Sequence, residues 1–125
     1  MMPEGQVAVV EIGCGTDMHG QDANVAATRA CRNAIGFNSL PGLSRLLPDG
    51  DLSKMNVHVR LGVPEPYVKD VDEQRVKDQF PYGTVSVEVV AGGLACGSGV
   101  VLAEQGDAPD NDTALVVVAA VSVFC

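Results

Sequence analysis

The residues best suited to chemistry form one short run, Asp17-Met18-His19-Gly20-Gln21-Asp22. It holds two carboxylates, an imidazole and a carboxamide within six residues. Imidazole is the side chain whose ordinary titration lies nearest neutrality, and a carboxylate beside it can orient it or share a proton. His19 and Asp17 are therefore assigned proton transfer, and Gln21 contact with a ligand. The same residues have plain structural uses: Asp22 suits a helix N-cap, Asp17 an Asx turn, and His19 simple exposure. Further oxygen-binding candidates are Arg29 and Arg32, which lie three apart and share one side of a helix, and Arg60. Asn38 and Ser39, in Asn38-Ser39-Leu40-Pro41-Gly42, either face a ligand or stop one helix and start the next.

Other reactive groups lack partners in sequence. Cys14, Cys31, Cys96 and Cys125 occur singly, without a C-x-x-C pair or zinc-ligand spacing. Cys96 and Ser98 have no neighbouring base, and none of Lys54, Lys69 and Lys77 is marked as catalytic. Asp17, His19 and His58 would have to converge from separate elements to bind a metal, so no metal centre and no cofactor is assigned.

These residues need a scaffold that brings them to one place. Gln6–Ile12 reads as a strand delivering the chain to a turn at Gly13–Asp22, followed by an Ala-rich helix from Asp22 to Ile35. Leu43–Leu47 reads as a short helical turn and Pro48-Asp49-Gly50 as a tight turn. Met55, Val57, Val59, Leu61 and Val63 alternate with Asn56, His58, Arg60 and Gly62, a strand with one buried and one polar face. Val68–Phe80 predicts a second amphipathic helix. Val85, Val87 and Val89 alternate with Thr84, Ser86 and Glu88 in another strand. A glycine bend at Gly92-Gly93 leads to a strand near Gly99–Ala103. After the acidic loop Glu104–Asp112, the apolar run Leu115–Phe124 predicts a central strand. The expected fold is α/β: one domain over residues 1–125, a single mixed sheet with its helices on one face, in the order β-α-(α)-β-α-β-β-β. The other face then carries a polar row containing His58, Arg60 and Glu88, expected to form a cleft or a subunit interface.

Composition narrows the partners. A chain of 125 residues suits one core, and that core must be aliphatic, since 46% of residues are hydrophobic but only 4% aromatic. Fourteen glycines leave little side-chain volume, so burial against a second subunit would add stability. The net charge of −8 argues against nucleic acid and anionic membranes, which need clustered Lys and Arg. The N-terminus has no signal-peptide pattern, and Ala114–Cys125 is too short to span a bilayer. A cytoplasmic protein with reduced thiols is expected.

Three resemblances bear on function. Val9-Val10-Glu11-Ile12-Gly13-Cys14-Gly15-Thr16 resembles the first motif of S-adenosylmethionine-dependent methyltransferases, but the acidic residue and longer doubly wound sheet of that family have no counterpart here. That leaves a methyltransferase fragment as a distant alternative. Gly15-x-Asp17-x-His19-Gly20-Gln21-Asp22, Asn38-Ser39-Leu40-Pro41-Gly42, Gly62-Val63-Pro64 and Pro81-Tyr82-Gly83 resemble a small family of bacterial hypothetical proteins over nearly the whole chain. That resemblance implies the fold and the polar loop rather than a reaction. Size and element order are also similar to one repeat of cyanuric acid hydrolase and barbiturase. This implies a homotrimer with sites between subunits, although no Ser-Gly-Gly turn or Ser–Lys pair can be assigned. The combined expectation is a small-molecule enzyme with hydrolase or isomerase chemistry on a cyclic amide-like or carbonyl compound. His19 and Asp17 would move protons, while Gln21, Arg29, Arg32, Asn38, Ser39, His58, Arg60 and Glu88 hold the ligand. A non-catalytic ligand-binding or interaction protein using the same loop is the competing class.

Overall fold

Alternation dictates the centre of the molecule. Val57, Val59, Leu61 and Val63 of one strand, and Leu115, Val117 and Val121 of another, are each at most 2% exposed. Burying each such side chain contributes about 1.5–3 kcal/mol. The computed structural model, which describes residues 5–37 and 39–125, has five strands: β1 (Val7–Asp17), β2 (Asn56–Val63), β3 (Thr84–Ala91), β4 (Leu94–Gly97) and β5 (Thr113–Phe124). They form one mixed sheet in the order β1-β5-β2-β3, with β4 extending along β5. β5 pairs antiparallel with β1, β2 and β4, while β2 and β3 run parallel. The apolar C-terminal run is thus the central strand, as its composition predicts.

Helix α1 (Ala23–Gly36) covers β1 and β5. Asp22 caps it, its carboxylate accepting from the backbone N–H groups of Asn24 and Val25 at 2.9 and 3.3 Å. The buried face is Ala23, Ala26, Ala27, Ala30, Cys31 and Ala34. Such small residues let the helix backbone approach the strand closely. A Cβ on Gly13 or Gly15 would overlap the backbone of Ala26, Ala30 or Ala34. These glycines therefore belong to the strand and serve packing. The turn expected to start at Gly13 begins only after Asp17, and the glycines form no cofactor cradle of the methyltransferase kind.

Two other elements differ from expectation. Val68–Phe80 is not one helix but a 3-10 segment, Glu65–Asp70, and a short α2 (Glu73–Lys77). Val71 is extended, and the Asp72 carboxylate accepts from Gln74 N–H at 3.0 Å, restarting the helix there. Val76 is nonetheless fully buried, with Val71 and Phe80 packed beside it. The strand expected near Gly99–Ala103 lies earlier, at β4. The chain leaves β3 and crosses the end of β2, where Gly92 N–H donates to Val63 C=O at 2.8 Å. Gly93 then turns with φ +63 beside the carbonyls of Gly62 and Val116, and β4 begins at once. Gly99, at φ +92, ends this run, and Val100 and Val101 are exposed.

Both helices lie on one side of the sheet. No helix among the described residues is long and apolar enough to cross a membrane.

Candidate functional site

β1 ends at Asp17, and the next five residues fold onto a carboxylate from the far end of the sequence. Asp107 lies in the loop before β5 and its side chain is wholly buried. One oxygen accepts from Gly20 N–H at 2.8 Å and Gln21 Nε2 at 2.7 Å, the other from Leu102 N–H at 2.9 Å. His19 Nδ1 lies 2.7 Å from that second oxygen. The Leu102 N–H is the strongest of the influences that hold the Asp107 carboxyl well below the ordinary carboxylate range. The Gly20 N–H, His19 and Gln21 add to it against the opposing effect of desolvation. An ionised Asp107 accepts only, so His19 must carry its proton on Nδ1. The lone pair of neutral His19 is then on Nε2, which has no hydrogen-bond partner among the described residues and is not a buried atom.

Gln21 completes the loop from an unusual backbone, φ +49. Its Nε2 also donates to Thr113 C=O at 3.0 Å, and its Oε1 accepts from Ala108 N–H at 3.2 Å. Asp17 is buried and accepts from Asp22 N–H at 2.9 Å, closing the turn that delivers the cap. Arg29 donates to Thr16 C=O at 2.7 Å and lies 3.9 Å from Asp17, so it tethers α1 to the edge of β1.

A second polar group occupies the sheet face without helices. Register places Arg60 opposite Glu88 and His58 opposite Ser86. Arg60 is 3.4 Å from one Glu88 oxygen, and His58 Nε2 is 3.6 Å from the other. His58 Nδ1 lies 2.8 Å from Ser86 Oγ. The ring is only 2% exposed, and its Nε2 is buried without a hydrogen-bond partner among the described residues. Toward β1 the same face turns apolar: Val10 is 52% exposed, Ile12 63% and Val118 40%.

A match to a family of conserved hypothetical proteins, Lin0512, extends over residues 7–123. The chain belongs to the Lin0512 family. No curated protein matches it. Among solved structures it is similar to an FtsZ-like protein of unknown function from Nostoc punctiforme PCC 73102. The two are 35% identical, the alignment covers 95% of this chain and 94% of the other, and the TM-score is 0.81.

In this Lin0512 protein the predicted residues fall into separate groups. Asp17, His19, Gln21 and Arg29 gather at the end of β1. Arg32 does not join Arg29: its Nε donates to Gln79 Oε1 at 2.8 Å, bracing the segment after α2. His58, Arg60 and Glu88 form the open-face group. Its Ser122 register partner lies nine residues along β5 from Thr113, roughly 30 Å at about 3.4 Å per residue. Ser39 is exposed, and Asn38 lies outside the described residues. No group of three or more His, Cys, Asp or Glu among the described residues is placed to hold a metal. Cys31 is buried in the core, which pushes its thiol up to about 12 and leaves it inert.

Asp107, the hub of the loop, escapes sequence reading. It lies in an acidic stretch that reads as solvated, and nothing local distinguishes it from Asp110 or Asp112. Apart from the Leu102 N–H, its partners lie 86 to 88 positions away.

Proposed function

We propose that this protein is a small-molecule enzyme working by proton transfer, of hydrolase or isomerase type, on a carbonyl or cyclic amide-like compound. The observation that carries this reading is the 2.7 Å contact of His19 with a buried Asp107. A carboxylate fixed by backbone N–H groups holds the ring in one tautomer and stabilises the imidazolium formed when Nε2 takes a proton. The proton comes from water or from carbon beside a carbonyl, and returns to the product. Asp17 acts by positioning, since its oxygens are engaged with the turn and Arg29.

A one-sided loop cannot enclose a substrate. The reading therefore places the site between subunits of a homotrimer, where a neighbour's open face brings Arg60 and Glu88 opposite the His19 loop. Arg60 is more than half exposed and has the planar fork that suits carbonyl and carboxylate oxygens. In favour of a partner are the exposed apolar residues of that face and the roughly 30 Å between the two groups within one chain.

A second reading, a binding protein without catalysis, is favoured by one observation. The described cavities lie away from His19, at the other end of the sheet, and every bond to Asp107 also serves the loop. Cyclic imides, lactams and 3-oxo acids, screened with the wild-type protein and with His19→Gln, separate the two. Catalysis predicts turnover that falls by about 10²-fold or more in the variant, with binding kept. Binding without turnover in both proteins sinks the enzyme reading.

A further inference from the structure

Residues 40–54 fold as three short 3-10 segments whose hydrogen bonds are all internal. The backbone N–H groups of Leu43, Leu47, Gly50, Asp51 and Lys54 each donate to the carbonyl three residues back, at 3.0–3.4 Å. Ser44 Oγ donates to Pro41 C=O and Ser53 Oγ to Asp51 Oδ1, within the same stretch. Among the described residues, no hydrogen bond or ion pair joins this stretch to the sheet or to either helix. Apolar contact holds it down instead. Leu43 and Leu52 line a cavity of about 350 Å³, together with Ile35 of α1, Phe80, and Val57 and Val121 of the two central strands. Val57 and Val121 are 2% and 1% exposed, so the cavity reaches down to the core of the sheet.

We infer that this cavity is a second site, independent of the His19 loop, for a compact uncharged apolar molecule the size of a substituted benzene ring. Its volume lies at the small end of the range for ligand pockets, about 300–1,000 Å³. A cavity of about 150 Å³ with Leu, Ile and Phe walls stays dry and already holds benzene. An ion entering would exchange its water for aliphatic and aromatic walls that return no hydrogen bond. Glu11 also lines the cavity, but it already has an interaction partner and is not free to receive a cation. Both effects favour a neutral ligand. Entry requires only that residues 40–54 lift, which parts leucine contacts and breaks no hydrogen bond to the rest of the described structure. Glu11 and Asp17 are six residues apart on β1, roughly 20 Å at about 3.4 Å per residue. A ligand here therefore does not touch His19.

Ethylbenzene and benzylammonium have nearly the same shape and differ in charge, while benzoate carries the opposite charge on the same ring. Titrated into the 15N-labelled full chain, ethylbenzene should bind saturably and shift the amides of Leu43, Leu52, Val57 and Val121. Benzylammonium and benzoate should each bind at least about tenfold more weakly, since neither head regains its lost hydration. Leu43→Trp, which fills the cavity from the 3-10 stretch and leaves the sheet unaltered, should abolish ethylbenzene binding. Leu52→Ala, which enlarges the cavity, should let ethylnaphthalene bind more tightly than ethylbenzene, and it tests the site even if the Trp variant fails to fold. No saturable binding of ethylbenzene to the wild type, or either ion binding as tightly, would overturn the assignment. So would ethylbenzene binding that survives Leu43→Trp, a Leu52→Ala protein that still prefers the smaller ring, or shifts centred on Ile12 and Val118 of the open face.

Discussion

His19 and Asp107 show how much a single buried carboxylate can organise. Asp107 ties the turn after β1 to the loop before β5 through backbone N–H groups on both sides. Because its folded-state pKa lies below its ordinary value of 3.8, it contributes stability that is fully present above about pH 4 and is lost as pH falls through that range. Asp107→Asn removes the charge and with it this pH dependence. The urea midpoint of the variant should therefore be well below that of the wild type at pH 7, and the gap should narrow at pH 3. A gap unchanged between the two pH values would show that Asp107 is not held ionised by its donors. His19 itself was legible from sequence because imidazole beside carboxylates is rare in a plain turn. Its true partner was not, because the nearby Asp17 and Asp22 are spent on the turn and the cap.

At the scale of elements, α1 and β1 meet along a seam of small residues. The Ala-rich helix and the strand glycines are each visible in sequence, but their reciprocal fit is not. Read alone, Gly13-Cys14-Gly15 suggests a turn; against α1, it is the only way two backbones can come so close. Gly15→Ala should destabilise the fold by about 3 kcal/mol, because its Cβ would overlap the backbone of Ala26 and Ala30 and the helix must move away. Gly36→Ala is the matching control, with nothing within 4 Å of the new methyl. It should be neutral or stabilising by about 0.5–1 kcal/mol through helix propensity. Chemical denaturation of the two variants compares them directly, and equal effects would contradict the seam. The division of Val68–Phe80 follows a similar logic. Its apolar spacing is helical, yet Asn24 on α1 bonds Asp70 C=O and Asp72 N–H at 2.9 and 2.7 Å, which fixes an extended link in the middle.

The whole molecule has two unlike sheet faces. One is filled by α1, α2 and their connections, while the other bears exposed Val10, Ile12 and Val118 beside the His58–Arg60–Glu88 group. The strand edge at β1 is partly closed, since Asn33 Oδ1 accepts from Cys14 N–H at 3.0 Å and Arg29 covers Thr16 C=O. Association through the open face is thus better served than extension of the sheet edge. The trimer proposed above predicts a light-scattering mass three times the chain's 13.0 kDa. Ile12→Glu should reduce that mass to a monomer with an unchanged circular dichroism spectrum, since Ile12 lies outside the core. A monomeric wild-type protein at micromolar concentration would remove the shared site.

The sequence by itself determined four of the five strands, the central one among them, the single helical side and the cap at Asp22. Each of these depends on local periodicity or on contacts a few residues apart, which neighbouring positions encode. Only the tertiary structure decided where β1 ends, which carboxylate grips His19, and that Glu11 opens into a cavity. These features join residues far apart in the chain, and a carboxylate's surroundings, whether water or a ring of N–H donors, have no local signature. They set the chemistry available to His19, so the candidate site became readable only once the fold was closed.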